Sequence, residues 1–106
     1  LYAGRNTLFG SQPSGIEVNA VEAAEWLKKA AQAGNMSAVL DLASMYFDGS
    51  VLEQSYLQAR RFYQQAADKG NTLAMRKLGE IYERGLGVEA SQQESMQWYK
   101  KAAGIK

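Results

Sequence analysis

From residue 20 onward the apolar side chains recur every three or four positions, and the recurrence is broken at glycines. Ala23, Trp26, Leu27, Ala30 and Ala31 share one face of a 3.6-residue period. Beyond Gly34 the pattern restarts with Ala38, Leu42, Met45 and Tyr46, and it ends at Gly49. This predicts two short amphipathic helices of roughly 12–15 residues joined by a tight turn. Asn19 is placed to cap the first and Asn35 the second, with Gly34 and Gly49 as left-handed stops.

The same pair of elements returns without a gap. WLKKAAQAGN at Trp26 is followed 36 residues later by FYQQAADKGN at Phe62, and after another 36 by WYKKAAGIK at Trp98. Ala38 aligns with Ala74, Leu42 with Leu78, Met45 with Ile81, Tyr46 with Tyr82, and Gly49 with Gly85. Asn19, Ser55 and Ser91 each precede a Glu or Gln three positions on (Glu22, Gln58, Glu94). That is the spacing of a capping box, in which cap and acid or amide satisfy each other's backbone N–H. A hairpin of this size cannot bury its apolar stripe alone, so neighbouring units must stack.

These residues resemble the Sel1-like repeat, a relative of the tetratricopeptide repeat. Ser91, Ser95, Trp98, Tyr99, Lys101, Ala102 and Ala103 carry the first-helix pattern. Gly70, Ala74, Leu78, Gly79, Ile81, Tyr82, Gly85, Gly87 and Val88 carry the rest. The resemblance covers about residues 15 to 103, and the 36-residue period separates it from the 34-residue tetratricopeptide spacing. It implies an all-α fold, a right-handed α/α solenoid of stacked helix-turn-helix units. Three features depart from the pattern: Val51 replaces the glycine seen at Gly87, Leu27 replaces the tyrosine of Tyr63 and Tyr99, and the usual aspartate cap is missing. Residues 1–18 read as the end of a preceding repeat and an enlarged loop over Gly4–Gly15. Residues 19–54 and 55–90 read as two full repeats, and 91–106 as the first helix of a third.

Composition narrows the chemistry. Twelve Lys and Arg oppose eleven Asp and Glu, a formal charge of +1. That balance lacks the basic stripe of a nucleic-acid module and the cationic face of a lipid-bound one. No histidine or cysteine is present, which removes disulfides, thiol and imidazole catalysis and the usual zinc sites. No cofactor is called for, and no segment approaches the roughly 20 apolar residues of a membrane span. Glu80, Glu83 and Glu89 cluster near a helix end, but paired carboxylates there read more simply as a wetted surface.

Trp26, Phe62 and Trp98 share one repeat position and are expected in the core. By analogy with repeat proteins, the first helices line a concave binding surface. Val21, Glu25, Lys28 and Gln32 mark it in the first unit; Leu57, Arg61, Gln64 and Asp68 in the second; Gln93, Gln97 and Lys100 in the third. Of these, Glu25, Lys28, Gln32, Arg61, Gln64, Gln97 and Lys100 are the candidate contacts. They vary between units while the packing positions repeat, as a tailored surface predicts; a solvated face is the plainer reading. A second candidate is the apolar stripe Met36, Leu40, Ala43 and Phe47, matched by Thr72, Arg76, Gly79 and Glu83 in the next unit. It is covered either by the enlarged loop or by a docking partner.

The resulting expectation is a scaffold for a protein or peptide partner, not an enzyme, within a larger bacterial protein. The alternative is an envelope-associated enzyme or accessory module of the same family. Family analogy favours the periplasm or secretion, and the open solenoid ends are candidates for self-association.

Overall fold

A computed structural model describes the backbone of residues 12–104 and the side chains from Ala20 onward. It contains α1 (Gln12–Gln32), α2 (Met36–Asp48), α3 (Tyr56–Asp68), α4 (Thr72–Arg84) and α5 (Gln92–Ala102), with no strand among the described residues. The body measures 66 × 27 × 18 Å, the elongated outline of stacked hairpins. Each helix packs on the next in sequence, most extensively α2 on α3 and α4 on α5.

The helices start and stop where the sequence chemistry directs. Asn35 Oδ1 accepts from Ala38 N–H at 2.9 Å, and Asn71 Oδ1 from Ala74 N–H at 2.8 Å. Ser55 Oγ accepts from Gln58 N–H and Ser91 Oγ from Glu94 N–H, at 3.2 and 3.1 Å. The return half of the capping box does not form. Ser55 N–H already donates to the Tyr46 carbonyl and Ser91 N–H to the Tyr82 carbonyl, both at 2.9 Å. The Gln58 side chain is thereby left for other work.

The first helix departs from expectation. It begins at Gln12, so Asn19 lies inside it and does not cap it. The cause is local: Pro13 is its second residue, where the missing N–H would have no helical acceptor anyway, and no strong stop follows before Gly34. Of the expected Gly4–Gly15 loop, residues 12–15 are helical and 4–11 lie outside those described.

The core is a line of small and branched side chains: Ala38, Leu42, Ala59, Tyr63, Ala66, Ala74, Leu78 and Ile81, each at most 3% exposed. Small residues let the helices approach. At Gly79 the approach is so close that an added Cβ would lie 2.7 Å from the Tyr99 ring. Gly87 is required differently: its φ is +71°, and a Cβ there would meet that of Tyr56 at 2.7 Å. Val51, at the matching position of the earlier loop, therefore calls for another backbone path.

The aromatic expectation holds for two units of three. Phe62 and Trp98 are half-buried against the core, but Trp26 is 70% exposed. Phe62 stacks on Tyr46 from the preceding helix, with ring centroids 5.9 Å apart and planes 7° from parallel. The residues that would supply Trp26 with such a partner precede those described. Lys29 Nζ lies 5.2 Å from the Trp26 ring centre, and Lys101 Nζ 4.5 Å from that of Trp98.

Candidate protein-binding surface

Between α1 and α3 lies an open cleft of about 260 Å³, lined by Lys28, Ala31, Gln32, Tyr46, Gln58, Phe62 and Gln65. The geometry follows from the helical period. Gln58, Phe62 and Gln65 stand at i, i+4 and i+7 on α3, facing the end of α1 that carries Lys28 and Gln32. The stacked Tyr46 and Phe62 rings form its apolar wall.

Two sequence candidates, Lys28 and Gln32, are in this cleft. Glu25 stands beside it, its Oε2 3.4 Å from Lys28 Nζ. Arg61 and Gln64 are on the neighbouring stripe of α3, about 100° round the helix, and Gln64 Nε2 donates to Asp68 Oδ1 at 2.9 Å. Gln97 and Lys100 are exposed on α5 and do not line the cleft. Sequence reasoning missed Tyr46, Gln58, Phe62 and Gln65. The sequence pattern assigns Gln58 to a capping box and Phe62 and Tyr46 to packing faces, while Gln65 replaces the lysine of both other units. The i, i+4, i+7 spacing of Gln58, Phe62 and Gln65 was the available signal.

The apolar stripe on α2 is only partly open. Ala43 is fully buried, and Met36, Leu40 and Phe47 are half-buried against the core. Phe47 meets Tyr56 and Tyr63 edge-on, at centroid distances of 5.4 and 6.4 Å, and Lys77 Nζ of α4 lies 5.0 Å from its centre. Phe47 is thus covered by the following hairpin; the expected covering loop lies, before residue 12, outside the described residues.

A second groove, of about 480 Å³, runs between α4 and α5 and is lined by Leu73, Arg76, Lys77, Glu80, Glu83, Arg84 and Tyr99. Five of its polar side chains are bound to one another. Arg84 Nη1 lies 2.7 Å and Lys77 Nζ 3.6 Å from the Glu80 carboxylate, and Tyr99 Oη donates to Glu83 Oε1 at 3.0 Å. Partial burial, that hydrogen bond and the negative charges of Glu83 and Glu80 hold the Tyr99 proton above its ordinary range. A phenol held in this way is a poor base or nucleophile at neutral pH. Among the described residues no group of three or more His, Cys, Asp or Glu is placed to hold a metal ion. Nor is any described helix long and apolar enough to cross a membrane.

Comparison with known proteins agrees with this architecture. The Sel1 repeat family profile matches residues 2–35, 37–71 and 72–104, nearly the whole chain in three tandem units. The chain belongs to the Sel1 repeat family. A Sel1 repeat protein from Oxalobacter formigenes is 32% identical, with a TM-score of 0.73 over 76% of this chain and 62% of that one. A protective antigen present in uropathogenic Escherichia coli strains, which displays an SLR fold, is 36% identical. Its TM-score is 0.75, over 80% of this chain and 18% of the antigen. This chain thus spans less than two thirds of either relative. No match was found among curated proteins. Sel1 repeats are in general protein-interaction scaffolds and typically non-catalytic.

Proposed function

We propose that this Sel1 array is an adaptor that receives a protein or peptide segment in the cleft between α1 and α3. One observation carries the reading. Among the described residues, no hydrogen bond engages the side-chain amides of Gln32, Gln58 or Gln65, whereas in the α4–α5 groove Lys77 and Arg84 are engaged with Glu80, and Tyr99 with Glu83. Unengaged amides beside an apolar wall offer both the hydrogen bonds and the desolvated contact that recognition needs. Glu25 extends this surface, and Arg61, Gln64, Gln97 and Lys100 extend the first-helix face towards α5.

Likeness to an antigen of a pathogenic bacterium supports an envelope or secreted setting for the adaptor. The test is a paired capture. Immobilised wild-type chain and a Gln58→Arg/Gln65→Glu variant are exposed to the same bacterial extract, and retained proteins are compared by mass spectrometry. A partner held by the first and lost from the second supports the reading; identical retention by both removes it.

A further inference from the structure

Resting on that reading, the chemistry of the cleft narrows the class of partner. We propose that it takes an extended peptide segment in which an aromatic or other large apolar side chain is flanked by a carboxylate. Three features converge. Lys28 is the one charged residue among those lining the cleft, and no carboxylate lines it, so the local field favours an anion. Glu25 sits 3.4 Å from Lys28 Nζ, but its side chain is 62% exposed. Water screens so exposed a pair, and an incoming carboxylate competes for the ammonium.

The amides supply the second feature. Each glutamine offers a donor and an acceptor, and Gln32, Gln58 and Gln65 stand on both walls. An extended backbone presents N–H and C=O groups on both of its edges, so paired amides suit it better than they suit a helix, whose backbone bonds are internally satisfied. Size is the third: about 260 Å³ against the parallel Tyr46 and Phe62 rings accommodates one large apolar side chain.

The neighbouring unit shows that the preference is local. Moving each lining position on by one repeat gives Gln64, Ala67, Asp68, Tyr82, Glu94, Trp98 and Lys101. There two carboxylates appear, Gln64 is already bonded to Asp68, and Lys101 lies over Trp98. The acidic part of a ligand therefore belongs at the α1–α3 end and not along the whole face.

The test uses two blocked peptides with Gly/Ser flanks, one with phenylalanine between two aspartates and one with phenylalanine between two lysines. Each is titrated into the isotope-labelled chain while the side-chain amide resonances of Gln32, Gln58 and Gln65 are followed. The acidic peptide is expected to shift all three and to bind about tenfold or more tighter than the basic one. Lys28→Glu, at a half-exposed position whose folding is checked by circular dichroism, should abolish or invert that preference. Equal binding of the two peptides, or a preference indifferent to Lys28→Glu, overturns the assignment. Tighter binding of the basic peptide at the same amides also overturns it, but leaves the adaptor reading intact. If neither these peptides nor any selected from a displayed random library moves those resonances, both readings fall.

Discussion

Tyr63 and Tyr99 occupy the same position in consecutive repeats, yet they live in different solvents. Tyr63 is 3% exposed and has Phe47 edge-on at 6.4 Å; Tyr99 is 36% exposed and donates to Glu83. Glu83 is the repeat counterpart of Phe47, and Gly79 that of Ala43. What separates the sites is α4, whose Lys77 reaches over Phe47. A repeat position thus has no fixed burial, because the next helix in the stack supplies it.

Truncating the two rings should expose this contrast most strongly. Tyr63→Ala is expected to destabilise the chain by about 3–5 kcal/mol, the range for a large aromatic removed from a core. Tyr99→Ala should lose only about 1–2 kcal/mol. Urea unfolding of both variants measures the difference, and similar losses would mean that α4 is not what buries Tyr63.

Alkaline titration sharpens the same comparison. Burial, with the negative charges of Asp48 and Glu80, pushes the Tyr63 pKa from 10.0 up to about 12. The folded state therefore keeps a proton that the unfolded chain releases earlier. This contribution is complete below pH 10 and is lost as pH rises from about 10 to about 12. Over that window the loss is on the order of 2–3 kcal/mol. Tyr63→Phe should flatten that part of the stability–pH curve; an unchanged curve would assign the alkaline transition to other groups.

Gly79→Ala tests the closeness of α4 and α5. A methyl group would lie 2.7–2.9 Å from the Tyr99 ring, so a destabilisation of about 1–3 kcal/mol is expected despite the better helix propensity of alanine. In a Tyr99→Ala background the same change should become neutral or stabilising by about 1 kcal/mol. Persistence of the full penalty there would show that another neighbour fills the space.

These contrasts also show how much could be read without coordinates. The 36-residue period and the caps at Asn35, Ser55, Asn71 and Ser91 follow from local chemistry and periodicity. Three things did not follow. The long α1 was hidden because Asn19 and Gly15 look like breaks, yet neither forces one once Pro13 has started a helix. The exposure of Trp26 breaks the repeat pattern, since its alignment with Phe62 and Trp98 puts all three in the core. The cleft on α3 was not legible either, since a stripe through Leu57 and Arg61 and one through Gln58 and Phe62 are both helical, and only packing shows which of them borders α1.

The smallest expected effect concerns the bond that replaces an aromatic contact at the exposed site. Tyr99 Oη and Glu83 Oε1 are 3.0 Å apart at the surface, where water competes for both groups. Weakening the bond with Glu83→Gln should therefore change unfolding stability by less than about 1 kcal/mol. The ionisation of Tyr99 is the more sensitive readout. Its pKa is raised first by partial burial and then by the hydrogen bond and charge of Glu83, with Glu80 adding to them. Glu83→Gln removes the charge and weakens the bond but leaves the burial, so the phenol should titrate lower than in the wild-type chain while staying above its ordinary range. Tyrosine-specific NMR titration reads this directly. A Tyr99 pKa indifferent to Glu83→Gln would mean that burial against Gly79, with the charge of Glu80, sets it without Glu83.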